Sequence, residues 1–136
     1  MNENKQIIGT FEKVSFPTLG VKNVIAKIDT GAYTGAFHCT KIEEIEVDGS
    51  KELHFVPFND SANAQTVSDY YSIPVKSSNG VTERRFVVRT KIVIQGTTYP
   101  IKLTLSNREG MKYEVLIGRR FLRKNNLVVD AAQFKK

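Results

Sequence analysis

The sequence predicts an all-β protein, and three observations indicate that class. Val, Ile, Thr, Phe and Tyr, whose side chains fit a pleated sheet, are plentiful. Apolar and polar residues alternate with a period of two, most clearly over residues 86–94 and 99–105. Turn sequences such as Asp48-Gly49 and Gln95-Gly96-Thr97 separate these segments. About seven to nine short strands with one short helix are therefore expected, in a barrel or a sandwich.

Hairpins connect most of the predicted strands. Residues 42–47 and 53–58 flank Asp48-Gly49, a sequence that favours a two-residue hairpin loop. Residues 86–94 and 99–105 flank the Gln95-Gly96-Thr97 turn in the same way. The remaining expectations are strands at 24–29, 71–75, 82–88 and 127–129, a turn at 77–80, a polar loop at 59–69, and one or two helical turns at 118–125.

Length and composition limit the class of protein. The chain has 136 residues and a mass of 15.3 kDa, which predicts a single domain over residues 1–136. Its apolar runs fall short of the roughly 20 residues of a membrane helix, and no secretory signal follows the polar residues 1–6. We therefore expect a cytoplasmic protein with no membrane partner. The single cysteine argues against a disulfide framework and against a cysteine-based zinc site.

The net charge is +6, with a pI near 9.5, which favours anionic partners such as acidic peptides or nucleic acid. The basic residues form short clusters, including the group Arg84, Arg85 and Arg89. That group could steer acidic peptides, or it could be a solvated strand face. A nucleic-acid-binding barrel rests on charge and aromatic residues alone, so nucleic acid is the weaker expectation.

The sequence feature with the clearest chemistry is Ile28-Asp29-Thr30-Gly31-Ala32. It places a carboxylate on a tight turn at the end of an apolar strand, and Gly31 permits a backbone path that is closed to other residues. A rigidly held, partly desolvated carboxylate suits acid–base catalysis. A purely structural turn is the alternative that the tripeptide leaves open.

A second motif is the apolar run Val115-Leu116-Ile117, followed by Gly118-Arg119 and a short helical segment. With both motifs and a central hairpin in this order, the chain resembles the retropepsin-like aspartic proteases. The resemblance implies an acid-protease β-barrel with a flap hairpin and one short C-terminal helix. It also implies roles for particular residues: Asp29, Thr30 and Gly31 in catalysis, Ala32, Tyr33, Ser78, Asn79 and Gly80 in substrate binding, and Leu116, Ile117, Gly118 and Arg119 in support of the site.

The resemblance is closest to the retropepsin-like group named ATP-dependent zinc proteases, and it spans residues 7–130. The chain has neither the phosphate-binding Gly-x-x-x-x-Gly-Lys nor a His-Glu-x-x-His zinc motif, so no cofactor and no metal are predicted. His38 and Cys39 are adjacent and would point to opposite faces of a strand, which disfavours both a shared metal and a thiol–imidazole pair. Tyr33 and Gly35 stand where the group usually has Arg and Ser.

An aspartic-protease mechanism needs two carboxylates, and the chain has one Asp-Thr-Gly. The second would come from Asp29 of another subunit, so the resemblance predicts a homodimer that hydrolyses a peptide or protein substrate, and the positive net charge favours an acidic one. A non-catalytic peptide-binding module on the same fold is the alternative. The resemblance further implies that Arg119 braces the catalytic turn, and we expect it to do so in a buried charge pair.

Overall fold

The computed structural model of the chain describes residues 5–76 and 79–133. Within them are eleven strands, one α-helix, α1 (Arg119–Lys124), and 3-10 helices at Pro17–Leu19 and Ser61–Asn63. The strands are β1 (Gln6–Gly9), β2 (Phe11–Phe16), β3 (Val21–Ile28), β4 (Ala36–Val47), β5 (Ser50–Pro57), β6 (Gln65–Val67), β7 (Tyr70–Lys76), β8 (Thr82–Ile94), β9 (Thr97–Ser106), β10 (Val115–Ile117) and β11 (Leu127–Asp130).

The main sheet closes on itself as a barrel. Its strand order runs β10-β3-β2-β8-β9-β4, and β10 also pairs with β4, which completes the ring. The short strand β10 is parallel to β3 and antiparallel to β4. Strands β5 and β6 extend the sheet from β4, and β7 pairs with β8 outside the ring. The predicted all-β barrel is confirmed.

Side chains that point into this ring form the core. Phe16, Phe37, Phe55, Ile92 and Leu103 are buried, with exposures of 0–2%. The alternation predicted for residues 86–94 places Val88, Ile92 and Ile94 in that core, since successive side chains of a strand point to opposite faces.

The predicted hairpins are confirmed. Asp48 and Gly49 connect β4 to β5, and Gln95 and Gly96 connect β8 to β9. All four residues have positive φ, between 50° and 81°, which is the geometry of the two-residue turns that match strand twist.

Two expectations differ from the structure. The polar segment 59–69 is not only a loop: it holds a 3-10 helix, capped by Asp60, and β6, which pairs with β5. Strands β1 and β2 were not predicted, so the described strands outnumber the expected seven to nine. Both β1 and β6 are very short, with 4 and 3 residues, so their periodicity is too brief to read from sequence.

The chain's outer segments meet in a separate sheet of two strands. Strands β1 and β11 are parallel, and Ile7 lies opposite Val128. Next to this sheet, the Thr10 carbonyl accepts a hydrogen bond from the Ile28 N–H at 2.8 Å, so the sheet adjoins the end of β3. None of the helices in the described part of the chain has the length and apolarity needed to traverse a bilayer.

Candidate active site

Asp29 lies immediately after β3, where the strand leaves the barrel. Its backbone N–H donates to the Ile117 carbonyl at 2.8 Å, so it continues the parallel pairing of β3 with β10 by one residue. Ile28 and Ile117 are buried on either side of this contact, whereas Asp29 is only partly buried. A rigid apolar base therefore carries a carboxylate at its surface.

The turn that follows is closed by Asp29 itself. Its Oδ1 accepts the Gly31 N–H at 3.0 Å, and its backbone carbonyl accepts the Ala32 N–H at 3.2 Å. A Cβ on Gly31 would lie 3.2 Å from Oδ1, which is tight, so glycine suits this position. The carboxylate is thus oriented by its own loop, with Thr30 exposed beside it.

Two glycines allow the segment after the turn to pass close to β10. A Cβ on Gly35 would lie 2.1 Å from the Leu116 carbonyl oxygen, and one on Gly118 would lie 2.6 Å from the Tyr33 carbonyl oxygen. Neither position has room for a side chain. This contact requires glycine at position 35, where the resemblance led us to expect Ser.

Arg119 holds the turn from the other side, but not in the charge pair that we expected. Its Nη1 donates to the Gly31 carbonyl at 3.1 Å, and its backbone N–H donates to the Ala32 carbonyl at 2.8 Å. Its guanidinium lies over the Tyr33 ring, 5.3 Å from the centroid. In the described residues no carboxylate lies within 4.0 Å of it, so the charge-pair expectation is wrong. Tyr33, 53% exposed, is its partner instead.

The flap hairpin is formed by β7 and the first half of β8, paired in register from Tyr70 with Val88 to Lys76 with Thr82. At its tip the Asn79 Oδ1 accepts the Val81 N–H at 3.2 Å, and Gly80 has a φ of 86°. Both Asn79 and Gly80 are exposed. Ser78, predicted as the third tip residue, lies outside the described residues.

Arg108, in the loop between β9 and β10, is a further neighbour of the site. Burial and the charge of Arg85 lower the pKa of Arg108, and the charge of Asp29 partly offsets them. Arg108 Nε donates to the Tyr113 carbonyl at 2.9 Å, which fixes the side chain. The Arg108 guanidinium, from the β9–β10 loop, is therefore subject both to the positive charge of Arg85 on the flap strand and to the negative charge of Asp29.

His38 and Cys39 are both buried, with exposures of 4% and 0%, and they have separate surroundings. His38 Nδ1 accepts the Arg108 N–H at 2.8 Å, so that nitrogen is occupied. Burial raises the pKa of the Cys39 thiol, which disfavours the thiolate that nucleophilic catalysis requires. Among residues 5–76 and 79–133, no three His, Cys, Asp or Glu side chains are grouped as a metal site would need.

Comparison with known protein families identifies the family to which the chain belongs. Residues 7–135 match the family model described as RimB-like, retropepsin-like aspartic endopeptidase RimB. The chain belongs to the RimB-like family. The predicted resemblance to retropepsin-like proteases is confirmed.

Relatives of this RimB-like chain include longer proteins. A protein of Shewanella pealeana named probable alpha-L-glutamate ligase is 36% identical over 98% of the chain, and one of Desulfotalea psychrophila with the same name is 34% identical over 94%. The chain spans only 30% and 28% of their lengths. A crystal structure of a Legionella pneumophila protein of unknown function is 30% identical, with a TM-score of 0.74 and 98% of each chain covered.

Proposed function

We propose that the chain is an aspartic endopeptidase whose catalytic carboxyl is Asp29. The observation that carries this proposal is the Asp29 turn: a carboxylate at the end of a buried strand, oriented by Gly31 and braced by Arg119. Membership of a family described as retropepsin-like supports it. The free, buried Cys39 is compatible with the cytoplasmic location that we also propose.

The reaction needs two carboxyls that share one proton, because two close carboxylates resist ionising together. The ionised Asp29 takes a proton from water as the water oxygen attacks the peptide carbonyl carbon. The protonated Asp29 of a second subunit donates its proton to the carbonyl oxygen. The C–N bond then breaks as the nitrogen is protonated, so one water is consumed and a carboxylic acid and an amine are released.

The dimer that this mechanism requires is part of the proposal, and the β1–β11 sheet supports it. Ile7 and Val128 lie opposite each other on this sheet, with exposures of 53% and 41%. Exposed apolar neighbours of this kind favour burial against a second surface. The sheet adjoins Ile28 through Thr10, so a partner docked there would lie near the strand that carries Asp29.

An acidic peptide is the substrate class that we propose. Arg108 interacts with Asp29 and with the like charge of Arg85, and a carboxylate on the substrate would lower the cost of placing these two guanidinium groups together. The name glutamate ligase, carried by relatives of which the chain spans under a third, also relates to an acidic residue. We infer that glutamate-containing peptides should be tested first.

The decisive variant is Asp29→Asn. The asparagine Oδ1 can still accept the Gly31 N–H, so we expect the fold and the melting temperature to be kept. Hydrolysis of a glutamate-containing peptide, followed by mass spectrometry, should fall by about a thousandfold or more, because the variant lacks the titrating oxygen. Cleavage by the variant at the wild-type rate would reject the mechanism. Tight binding without cleavage by the wild type would favour the non-catalytic module.

Dimerisation is tested separately with Ile7→Glu, which adds a charge to an exposed position of the β1–β11 sheet. We expect the dissociation constant of the dimer, measured by sedimentation, to rise by about tenfold or more. Hydrolysis per subunit should fall in parallel. Val47→Glu, at a position 41% exposed at the end of β4, is the matched control and should change neither. A fully active Ile7→Glu monomer would exclude the shared site.

A further inference from the structure

A cavity lies beside the segment that follows the Asp29 turn. It has a volume of about 150 Å³, and Asp29 is not among the described residues that line it. Its wall combines four parts of the fold: Tyr33 and its neighbours, Arg89 of β8, residues 100–102 of β9, and Phe121 with its neighbours in and before α1. Apart from Tyr33, which the resemblance places in substrate binding, the proposed hydrolysis gives the residues of this cavity no role.

The rim of the cavity is strongly basic. Arg89, Lys102, Arg120 and Lys124 line it, and no lining residue in the described part of the chain is acidic. Arg89 forms an exposed ion pair with Asp69 at 2.9 Å. For the other three cations, no carboxylate of the described residues lies within 4.0 Å. Arg120 additionally lies over the Tyr33 ring, 5.8 Å from its centroid. The rim therefore presents concentrated positive charge to solvent.

The floor of the cavity is apolar. Ile101 and Phe121 are buried, with exposures of 5% and 8%, and Pro100 adds a further apolar surface. A bare inorganic anion would gain nothing from such a floor, whereas an apolar side chain would. The volume is well below the roughly 300 Å³ at which drug-sized ligand pockets begin, so it suits a single side chain.

We propose that this cavity docks an acidic segment of a partner protein, with one apolar anchor side chain on the floor and flanking carboxylates on the basic rim. Charge complementarity selects this occupant, and the apolar floor distinguishes it from a purely polyanionic one. The docked segment would contact Tyr33, and the backbone of Tyr33 is held by Arg120 through a 3.1 Å hydrogen bond. The site therefore adjoins the catalytic turn without including it.

The experiment uses the full chain carrying Asp29→Asn, so that binding is measured without turnover and does not depend on the proposed hydrolysis. The probe is a fluorescent peptide, Glu-Asp-Phe-Glu-Asp, followed by anisotropy. We expect a Kd that rises with salt, and Kd values about tenfold higher for peptides with Gln-Asn in place of Glu-Asp or with Ala in place of Phe. Equal binding of all three peptides would overturn the proposal.

The matched variants locate the binding. Lys102→Glu with Lys124→Glu should raise the Kd by about tenfold or more, and Lys102→Gln with Lys124→Gln should raise it less, in proportion to the charge removed. Lys51→Glu, on the exposed end of β5, is the control and should leave the Kd unchanged. Unchanged binding in both Lys102/Lys124 variants would place the peptide elsewhere and reject the site. Displacement of the peptide by a tighter-binding single-stranded oligonucleotide would reject the acidic-peptide occupant.

Discussion

The floor of the candidate active site, formed by β3 and β10 beneath Asp29, and the flap hairpin of β7 and β8 differ in how they are held in place. On the floor, Ala26, Ile28, Val115 and Ile117 are exposed by no more than 5%, and β3 pairs with both β2 and β10. The flap is a hairpin whose β7 edge pairs only with β8 among the described strands, and Val81 near its tip is 60% exposed. Buried apolar packing therefore fixes the floor, while the flap relies on hairpin hydrogen bonds and surface contacts.

This difference matches the different roles that the proposed mechanism gives to the floor and to the flap. In the proposed mechanism the Asp29 carboxylate needs a rigid support, and the close approach of Gly35 and Gly118 to backbone atoms leaves little room for movement beneath it. In the proposed mechanism a substrate enters and leaves beneath the flap, so a weakly packed hairpin is suited to moving. Substitutions on the floor should accordingly cost far more stability than substitutions on the flap.

The largest effect is expected for Gly35→Ala. The new Cβ would lie 2.1 Å from the Leu116 carbonyl oxygen, and backbone cannot move away as a side-chain end can. We expect a loss of about 3 kcal/mol or more in the free energy of unfolding, measured by urea denaturation. Gly80→Ala on the flap is the matched control: its Cβ meets nothing within 4 Å, and the φ of 86° should cost about 1 kcal/mol. Equal losses would contradict the proposed rigidity of the floor.

A smaller effect is expected for Arg119→Ala, which removes the hydrogen bond to the Gly31 carbonyl and the contact with Tyr33. We expect a stability loss of about 1.5 kcal/mol. A kcat about tenfold lower with little change in KM should accompany it, because the turn that orients Asp29 loosens. Arg120→Ala also removes a contact with Tyr33 but leaves the Gly31 bond intact. If both variants lose kcat equally, the Gly31 bond is not the cause.

The smallest effect is expected on the flap, for Glu83→Ala. Glu83 forms an ion pair with Arg85 at 2.9 Å, and the two side chains are 59% and 35% exposed. Solvent screens such a pair, so its removal should cost no more than about 0.5 kcal/mol by urea denaturation. A loss approaching that of Gly35→Ala would show that the flap is structurally coupled to the floor. That result would remove the contrast between the two regions.

The sequence predicted the local structure well where the signal is local. The Asp29 turn, the hairpin turns at Asp48-Gly49 and Gln95-Gly96, and the helical segment after Gly118 depend on neighbouring residues, whose backbone preferences are strong. Most strands of ordinary length were also recognisable from their alternation, although the six-residue β2 was not predicted. Strands β1 and β6 were not, because a period of two cannot be read over three or four residues.

The partners of Arg119 and Arg108 could not be predicted in this way. A charged side chain indicates a need for a partner, but the sequence does not say whether that partner is a carboxylate, a carbonyl or an aromatic ring. Arg119 binds the Gly31 carbonyl, 88 positions away, and Arg108 meets the charges of Asp29 and Arg85 only because three separate loops and strands converge. Such contacts depend on the packing of distant segments.

By itself, the sequence determined the all-β class, the hairpins, and the carboxylate at the end of an apolar strand, since each depends on local conformational preference. Only the tertiary structure decided that β10 closes the barrel between β3 and β4, that Gly35 must be glycine, and that four cations surround one apolar cavity. The physical reason is that barrel closure and close packing are set by contacts between distant residues, which no local periodicity records.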